Sequence, residues 1–339
     1  MDFTGLNRFN AYKLNRPLTV EEEKGELSKK QSVGVESLDW LSTIKINNTY
    51  LELVDRWYAG RGFSSWLGLM FMIPFSMGVA AFFWLMIEKN TVEIWAGGAF
   101  VVLLFSLIVL AGVWVIKHDA FRMTHYPIRL NRKTRKVYAY RPNGTIIKAS
   151  WDDLFICKMK NKLTMGQISY DIRANILDKN NESVKDTFTL GYPYMGDEEG
   201  LLQLWEYIRC YMEESDGVER SYQTAEILLP INGQREGLAF GIIRVFSTTA
   251  NHMLMQLLMS PIEALNVLGR WFSMCTCKVP CWPKEIEAEC KVDPDDPYQK
   301  DWRSNGKYDF WELGWPVICF MIGLAVDGVA IAWVVKELF

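Results

Sequence analysis

Four thiols fall close together as Cys275-x-Cys277-x3-Cys281-x8-Cys290, and thiolates are ligands that tetrahedral zinc prefers. Zinc knuckles pair cysteines two to four residues apart, and a one-residue gap followed by an eight-residue gap does not reproduce that spacing. The four are the only metal candidates, but the spacing favours small buried or headgroup-level thiols, and no metal or cofactor is expected. Asp327 is the other unusual residue, a carboxylate inside an apolar run. An acid at the centre of a spanning helix costs roughly 3 kcal/mol on insertion scales and is kept for an ion path or a contact with another helix. No second intramembrane charge completes a path, and Gly323, Gly328 and Ala332 let helices approach, so an interhelical contact is the favoured role. His118 and His125 lie beside a span and His252 stands alone before a methionine run, which suits structural or headgroup-level roles. The acids of Trp151-Asp152-Asp153-Leu154 read as exposed caps at a bend rather than a pair for acid–base work. No Walker loop, dinucleotide glycine fingerprint, nucleophile elbow or zincin helix is present, so an enzyme is not expected.

The elements that must position these residues begin with two uncharged apolar stretches, Trp66–Ile87 and Ile94–Ile116. A hydrocarbon core about 30 Å thick needs ~20 apolar residues in helix, and backbone amides in lipid must bond within their own segment. Both stretches therefore read as spans of a membrane hairpin. A buried hairpin of a soluble protein is disfavoured, since soluble core helices rarely stay uncharged over such a length. Lys117, Arg122, Arg129, Arg132, Lys133, Arg135 and Lys136 follow the second span, Arg56 and Arg61 precede the first, and the turn Glu88–Glu93 carries two acids and one base. The positive-inside rule places the base-rich flanks in the cytoplasm, and Trp57, Trp66, Trp84, Trp95 and Trp114 fit the interfacial belt. The base-rich band next to a span is a membrane-surface feature with no nucleic-acid motif beside it. Lys117, Arg122, Lys133, Arg135, Lys136 and Arg141 are its candidate contacts.

Net charge is −3 over 339 residues, half of them hydrophobic, which leaves room for the hairpin and one or two folded cytoplasmic units. Residues 1–65 form a polar N-terminal arm with no apolar leader, so the first span is expected to direct insertion. All cysteines fall on the cytoplasmic side or in the last apolar run, where reduced thiols are expected. Residues 66–116 are the hairpin. Residues 117–215 show short β-rich runs at Ile128–Leu130, Val137–Tyr140, Thr145–Ala149, Leu154–Met159, Gln167–Leu177 and Val184–Leu190. Turns Asn131–Thr134, Arg141-Pro142-Asn143-Gly144 and Lys179–Glu182 make these antiparallel hairpins. Gly196-Asp197 then caps a helix with apolar residues at helical spacing. Six strands and a helix outline an α+β domain of pleckstrin-homology-like barrel form.

Residues 216–312 are a helical cytoplasmic or membrane-surface region. Helices are expected over Glu236–Val245 and Asn251–Phe272, the second interrupted at Ser260-Pro261. The methionine-rich run His252–Met259 is too short to span; it lies on the membrane or packs on the barrel, and interior packing is the commoner origin of such a stripe. Residues 313–335 form a third span, with a re-entrant or surface helix as the alternative.

Several stretches together resemble a family of uncharacterised bacterial inner-membrane proteins encoded beside type VI secretion genes and their toxic effectors. They are Leu14–Thr19 with Glu21–Glu23, the hairpin, Ile128–Arg132, Val137–Trp151, and Gly269-Arg270-Trp271 through Pro280–Glu285. The resemblance implies a hairpin-anchored cytoplasmic domain, no catalytic residues, and immunity to, or handling of, a secreted toxin. The span carrying Asp327 is additional to that pattern.

The expectation is thus a non-enzymatic, multi-pass protein of the bacterial inner membrane, with its N-terminus and main domain cytoplasmic. It binds a protein partner, a type VI effector or toxin, and possible homo-oligomers are allowed; nucleic acid is not a partner. The alternative is a membrane-surface sensor or scaffold that binds lipid headgroups or a peptide through the β-rich domain, using Lys133, Arg135, Lys136 and Arg141. A third reading is a small channel or transporter using Asp327.

Overall fold

The computed structural model describes residues 12–162, 168–178, 180, 182–250 and 252–338. The start of the N-terminal arm, Gln167 at the head of an expected strand, Lys179 and Asn181 in an expected turn, and Asn251 at the head of an expected helix lie outside the described residues. The chain divides into two compact units.

The first unit is sheet-rich and uses the described residues up to Ala59, His125–Gln234 and Val279–Lys307. Its strands are β1 (Thr43–Ile46), β2 (Tyr50–Leu53), β3 (Ile128–Asn131), β4 (Lys136–Tyr140), β5 (Ile146–Ser150), β6 (Leu154–Lys162), β7 (Ile168–Leu177), β8 (Val184–Thr189), β9 (Tyr194–Met195) and β10 (Lys300–Asp301). One antiparallel sheet runs β10-β1-β2-β3-β4-β5; the other runs β6-β7-β8, with β9 beside β7. The expected hairpins form for local reasons. Gly144 takes φ +85° in the β4–β5 turn, a conformation glycine adopts without cost, and Arg141 and Thr145 close it with an N–H···O bond of 2.9 Å. In the β3–β4 turn the Asn131 side chain accepts from the Thr134 N–H at 2.9 Å.

The short helix α1 (Val20–Lys24) carries a capping box between Thr19 and Glu22. Helix α4 (Glu198–Glu213) is capped by Asp197, which accepts from the Gly200 N–H at 3.2 Å, and buries Leu201, Leu204, Trp205 and Ile208 in the core shared by both sheets. There Trp205 stacks on Trp151, ring centroids 6.1 Å apart. α5 (Gly217–Thr224) follows, and α9 (Lys284–Glu289) belongs to the same unit.

The N-terminal arm is more ordered than its polar composition suggests. Ile44, Ile46, Leu51 and Leu53 alternate around the Asn47-Asn48-Thr49 turn and lie fully buried, so β1 and β2 are integral strands. The boundaries read from sequence at 65, 116, 215 and 312 differ from these units, because β2 and β3 pair directly although the hairpin separates them in sequence.

The second unit is helical and uses Gly60–Thr124, Arg235–Lys278 and Tyr308–Phe339. It holds α2 (Phe63–Lys89), α3 (Val92–Asp119), α6 (Leu238–Phe246), α7 (Met253–Leu258), α8 (Ser260–Thr276) and α10 (Trp315–Leu338), the last led in by a wide turn over Phe310–Gly314. Phe63–Lys89, Val92–Asp119 and Phe310–Glu337 are each long and apolar enough to cross a membrane, and they contain the three expected spans. α2 and α3 approach closely where glycine leaves room, Gly68 lying against Gly112 and Ile116, and Gly98 against Met86. Pro261 stands in the first turn of α8, where its missing N–H costs nothing.

Candidate functional site

A cleft of about 240 Å³ opens on the sheet-rich unit, and Glu52, Arg129, Trp282, Glu287, His125 and Asn232 are among its walls. Glu52 on β2 and Arg129 on β3 stand in register, so their side chains share one face of the sheet. The Arg129 Nε and Nη2 groups donate to Glu52 Oε2 at 2.9 and 2.7 Å, and Nη2 reaches Glu287 Oε1 at 3.3 Å. The Trp282 indole N–H donates to the other Glu52 oxygen at 3.2 Å. The guanidinium lies over the rings of Tyr50 and Trp282, 4.2 and 4.8 Å from their centroids. Burial works against the Arg129 charge, but Glu52 and Glu287 outweigh it and raise its pKa.

Around this centre the second aromatic layer is also bonded. The Tyr138 hydroxyl and Lys136 ammonium donate to Glu289 at 2.6 and 2.5 Å, and the two bonds, led by that of Lys136, lower the Glu289 pKa. The cleft is a preformed wall of one buried cation, two carboxylates and an indole. It can grip a polar partner segment.

The base-rich band is largely internal to the chain's own ion pairing. Lys133 pairs with Asp293 at 3.0 Å, and Arg135 with Asp152 and Glu213 at 2.5 and 2.6 Å. Lys136 pairs with Glu289, and Arg141 with Asp186. Asp152, read from sequence as an exposed cap, is thereby the partner of Arg135, whose hydrogen bond lowers its pKa. In the helical unit, Arg122 donates to the Lys117 carbonyl at 2.7 Å, and Lys117 is exposed.

Cys275 and Cys277 belong to the helical unit, Cys281 and Cys290 to the sheet-rich one. Cys277 is buried with its thiol 3.0 Å from the Asp119 carbonyl, Cys290 is buried beside Asn131, and Cys275 and Cys281 are exposed. Among the described residues no group of three or more His, Cys, Asp or Glu side chains could hold a metal ion. Asp327 lies half-buried on α10, and its Oδ2 has no hydrogen-bond partner among the described residues. Among the described residues that oxygen makes no inter-helix hydrogen bond.

The Glu52–Arg129–Trp282 centre escaped sequence reading because its members are far apart in the chain. The available signal was local: Glu52 and Arg129 each interrupt an otherwise apolar strand, in Tyr50-Leu51-Glu52-Leu53 and Ile128-Arg129-Leu130. A family model described as a family of unknown function, DUF6708, matches residues 105–294, from within α3 to just beyond α9. No curated protein and no solved structure matches the chain.

Proposed function

The chain belongs to the DUF6708 family of unknown function, and we propose that it is a non-enzymatic membrane protein that binds a protein partner through its sheet-rich unit. The observation that carries the reading is the cleft itself. Glu52, Arg129 and Trp282 hold one another rigidly, so a partner would meet a preorganised surface without having to order it.

In this reading the chain lies in a bacterial inner membrane, with the N-terminus and sheet-rich unit in the cytoplasm. The bases after α3 support that orientation. The two antiparallel sheets, with α4 in their common core, support a pleckstrin-homology-like arrangement. The most specific form of the proposal is immunity: the protein neutralises, or handles before export, a co-encoded type VI toxin. Lipid-headgroup binding through Lys133, Arg135, Lys136 and Arg141 has less support, since each already holds an acid of the same chain. A transport role for Asp327 would require it to work without a charged neighbour in its own span.

Two experiments test the proposal. Affinity purification of the full chain in mild detergent should retain a protein partner that Glu287→Lys loses. Glu287 is half-exposed at the rim of the cleft but pairs with buried Arg129, so a melting curve of the variant in the same detergent separates lost recognition from lost fold. Deleting the gene in a strain that carries the neighbouring toxin should expose cells to intoxication by kin. Unchanged survival removes the immunity form, and an unaffected partner in the Glu287→Lys variant removes the cleft.

A further inference from the structure

The segment between Glu236 and Thr276 is too short in each of its helices to cross a bilayer, yet its surface is inverted relative to a water-facing helix. On α8 the outward residues are Ile262, Leu268, Trp271 and Cys275, all exposed and none charged. Its buried face carries the polar and small groups Ser260, Ala264, Gly269, Arg270 and Ser273, with Val267 and Met274 among them. A helix on the surface of a soluble unit shows the opposite arrangement. The exposed side chains of α7 are also apolar, Met253, Leu254, Met255 and Leu258, while Gln256 is buried and donates to the Phe246 carbonyl at 3.0 Å.

The internal polar groups of this segment are largely answered from within the unit. Arg270 holds Glu236 through two bonds of 2.6 and 2.7 Å, with both side chains out of solvent. Ser273 shares a hydrogen bond with Ser65 at 2.7 Å, and the Trp66 indole donates to Asn266, which in turn donates to Glu263 at 3.0 Å. At the turn after α6 the hydroxyls of Ser247, Thr248 and Thr249 fold back onto carbonyls three residues earlier, at 2.8, 3.0 and 3.3 Å. That is how polar residues are tolerated in lipid.

The depth follows from contact with the third span. A Cβ on Gly323 would strike the Ser260 carbonyl and the Ala264 methyl group, so the head of α8 is seated directly on α10 there. Gly323 lies eight residues beyond Trp315, about 12 Å along the helix. The second half of α8 lies against the start of α2, where Gly269 meets Gly62 and Trp66 and Ser273 meets Ser65. α8 therefore runs from the mouth of the helical unit down the flank of α10.

We infer that residues 238–272 form a re-entrant membrane element whose exposed face, from Met253 to Trp271, is covered by lipid acyl chains. α7 and α8 both pack on α10, whose exposed side chains flanking Gly323, Met321, Ile322 and Val326, are likewise apolar, and that is what assigns the occupant. The element enters and leaves on the side where α2 begins. The inference rests on α10 being a span, and the test separates the two.

Full-length protein, with the exposed Cys275 and Cys281 replaced by serine, is reconstituted in phosphatidylcholine vesicles. Single cysteines at Leu254→Cys, Ile262→Cys, Val329→Cys on α10 and Asn143→Cys on the sheet-rich unit each receive an environment-sensitive fluorophore. Acyl chains brominated near the headgroup should quench Leu254→Cys and Ile262→Cys to within about twofold of Val329→Cys, and aqueous iodide should quench them about fivefold less than Asn143→Cys. If Val329→Cys is quenched by bromine but the other two follow Asn143→Cys, the re-entrant element is overturned and the span stands. Protection from both quenchers would mean a protein surface covers the face, and this too overturns it. If Val329→Cys itself ignores the brominated chains, the membrane reading of α10 fails first.

Discussion

Asp39 is buried beside Tyr207 and Lys300, and accepts a long hydrogen bond from the Leu41 N–H at 3.4 Å. Burial pushes its carboxyl up to about 6, against hydrogen bonds from Thr43 and Leu41 that pull it down. The sign follows from proton counting. Below the pKa of the unfolded chain, near 4, both states hold the proton; between there and about 6 only the folded state does, so stability falls as pH rises and then levels. The loss is on the order of 3 kcal/mol. Asp39→Asn should therefore melt above the native chain at pH 7.5, and lose that advantage at pH 4. Parallel thermal melts of the two proteins, in one detergent, check it, and a difference independent of pH refutes it. The Glu52–Arg129 pair answers a different question. Glu52→Ala leaves a buried guanidinium without its carboxylate, a change that costs roughly 3–5 kcal/mol, whereas Glu52→Leu with Arg129→Met removes both charges and should recover most of it. A double replacement as unstable as the single one would show that the cleft is held by packing of Trp282 and Tyr50, not by the charges.

Elements were legible in the sequence where one local signal decided them. Two of the three long apolar helices needed only length and the absence of charge, and the third needed length and enough apolar residues around Asp327; β3–β5 needed an Asn-Gly turn and a second turn led by Asn131; and α4 needed a cap and helical spacing. β1 and β2 are not legible locally, because Glu21–Lys24 and the other early charges surround an eleven-residue hairpin, Thr43–Leu53, that makes sense only once β3 is beside it. The inverted face of α8 was equally hidden: without knowing which side is buried, Ile262, Leu268 and Trp271 look like a core stripe. A consequence is that residues 118–215 are not a folding unit. Such a fragment lacks β1, β2 and β10 and the core side chains Leu27, Ile46, Leu51 and Leu53. Expressed alone it should aggregate or give a broad, non-cooperative melt, while the full chain unfolds sharply. In the helical unit the sensitive joint is Gly62, at φ +104°, where a Cβ would collide with the Arg270 backbone. Gly62→Ala combines a strained backbone with that collision and should cost at least ~1–3 kcal/mol, read as a lower melting temperature in detergent and faster proteolysis after Arg235.

At the scale of the whole chain, sequence order and structural membership part company. The sheet-rich unit is interrupted twice, by residues 60–124 and 235–278, and ends at Lys307. Both interruptions leave from and return to neighbouring points of that unit. Leu53 pairs with Ile128, and Asp55 accepts from the Tyr126 N–H at 2.7 Å; Asn232, Gly233, Pro280 and Cys281 line one cleft. The surfaces of the two units also differ in kind. Among the described residues, the large hydrophobic side chains exposed on the sheet-rich unit are Val20, Ile168 and Met195, and all the others belong to the helical unit. Surface apolar residues scattered singly are ordinary for a water-soluble protein, whereas a continuous apolar surface is not. A chain in which short Gly/Ser linkers replace residues 60–124 and 235–278, and which stops at Lys307, should thus be soluble without detergent. Shortening the first connection tenfold lowers the loop-closure cost of pairing β2 with β3 by about 2 kcal/mol, so the excised unit should not be less stable on that account. Its circular dichroism should be that of an antiparallel β protein with α4, and its melt should be cooperative. If it captures the same partner as the full protein, recognition needs no membrane. Precipitation on removal of detergent would mean that the sheet-rich unit depends on contacts the excision removed.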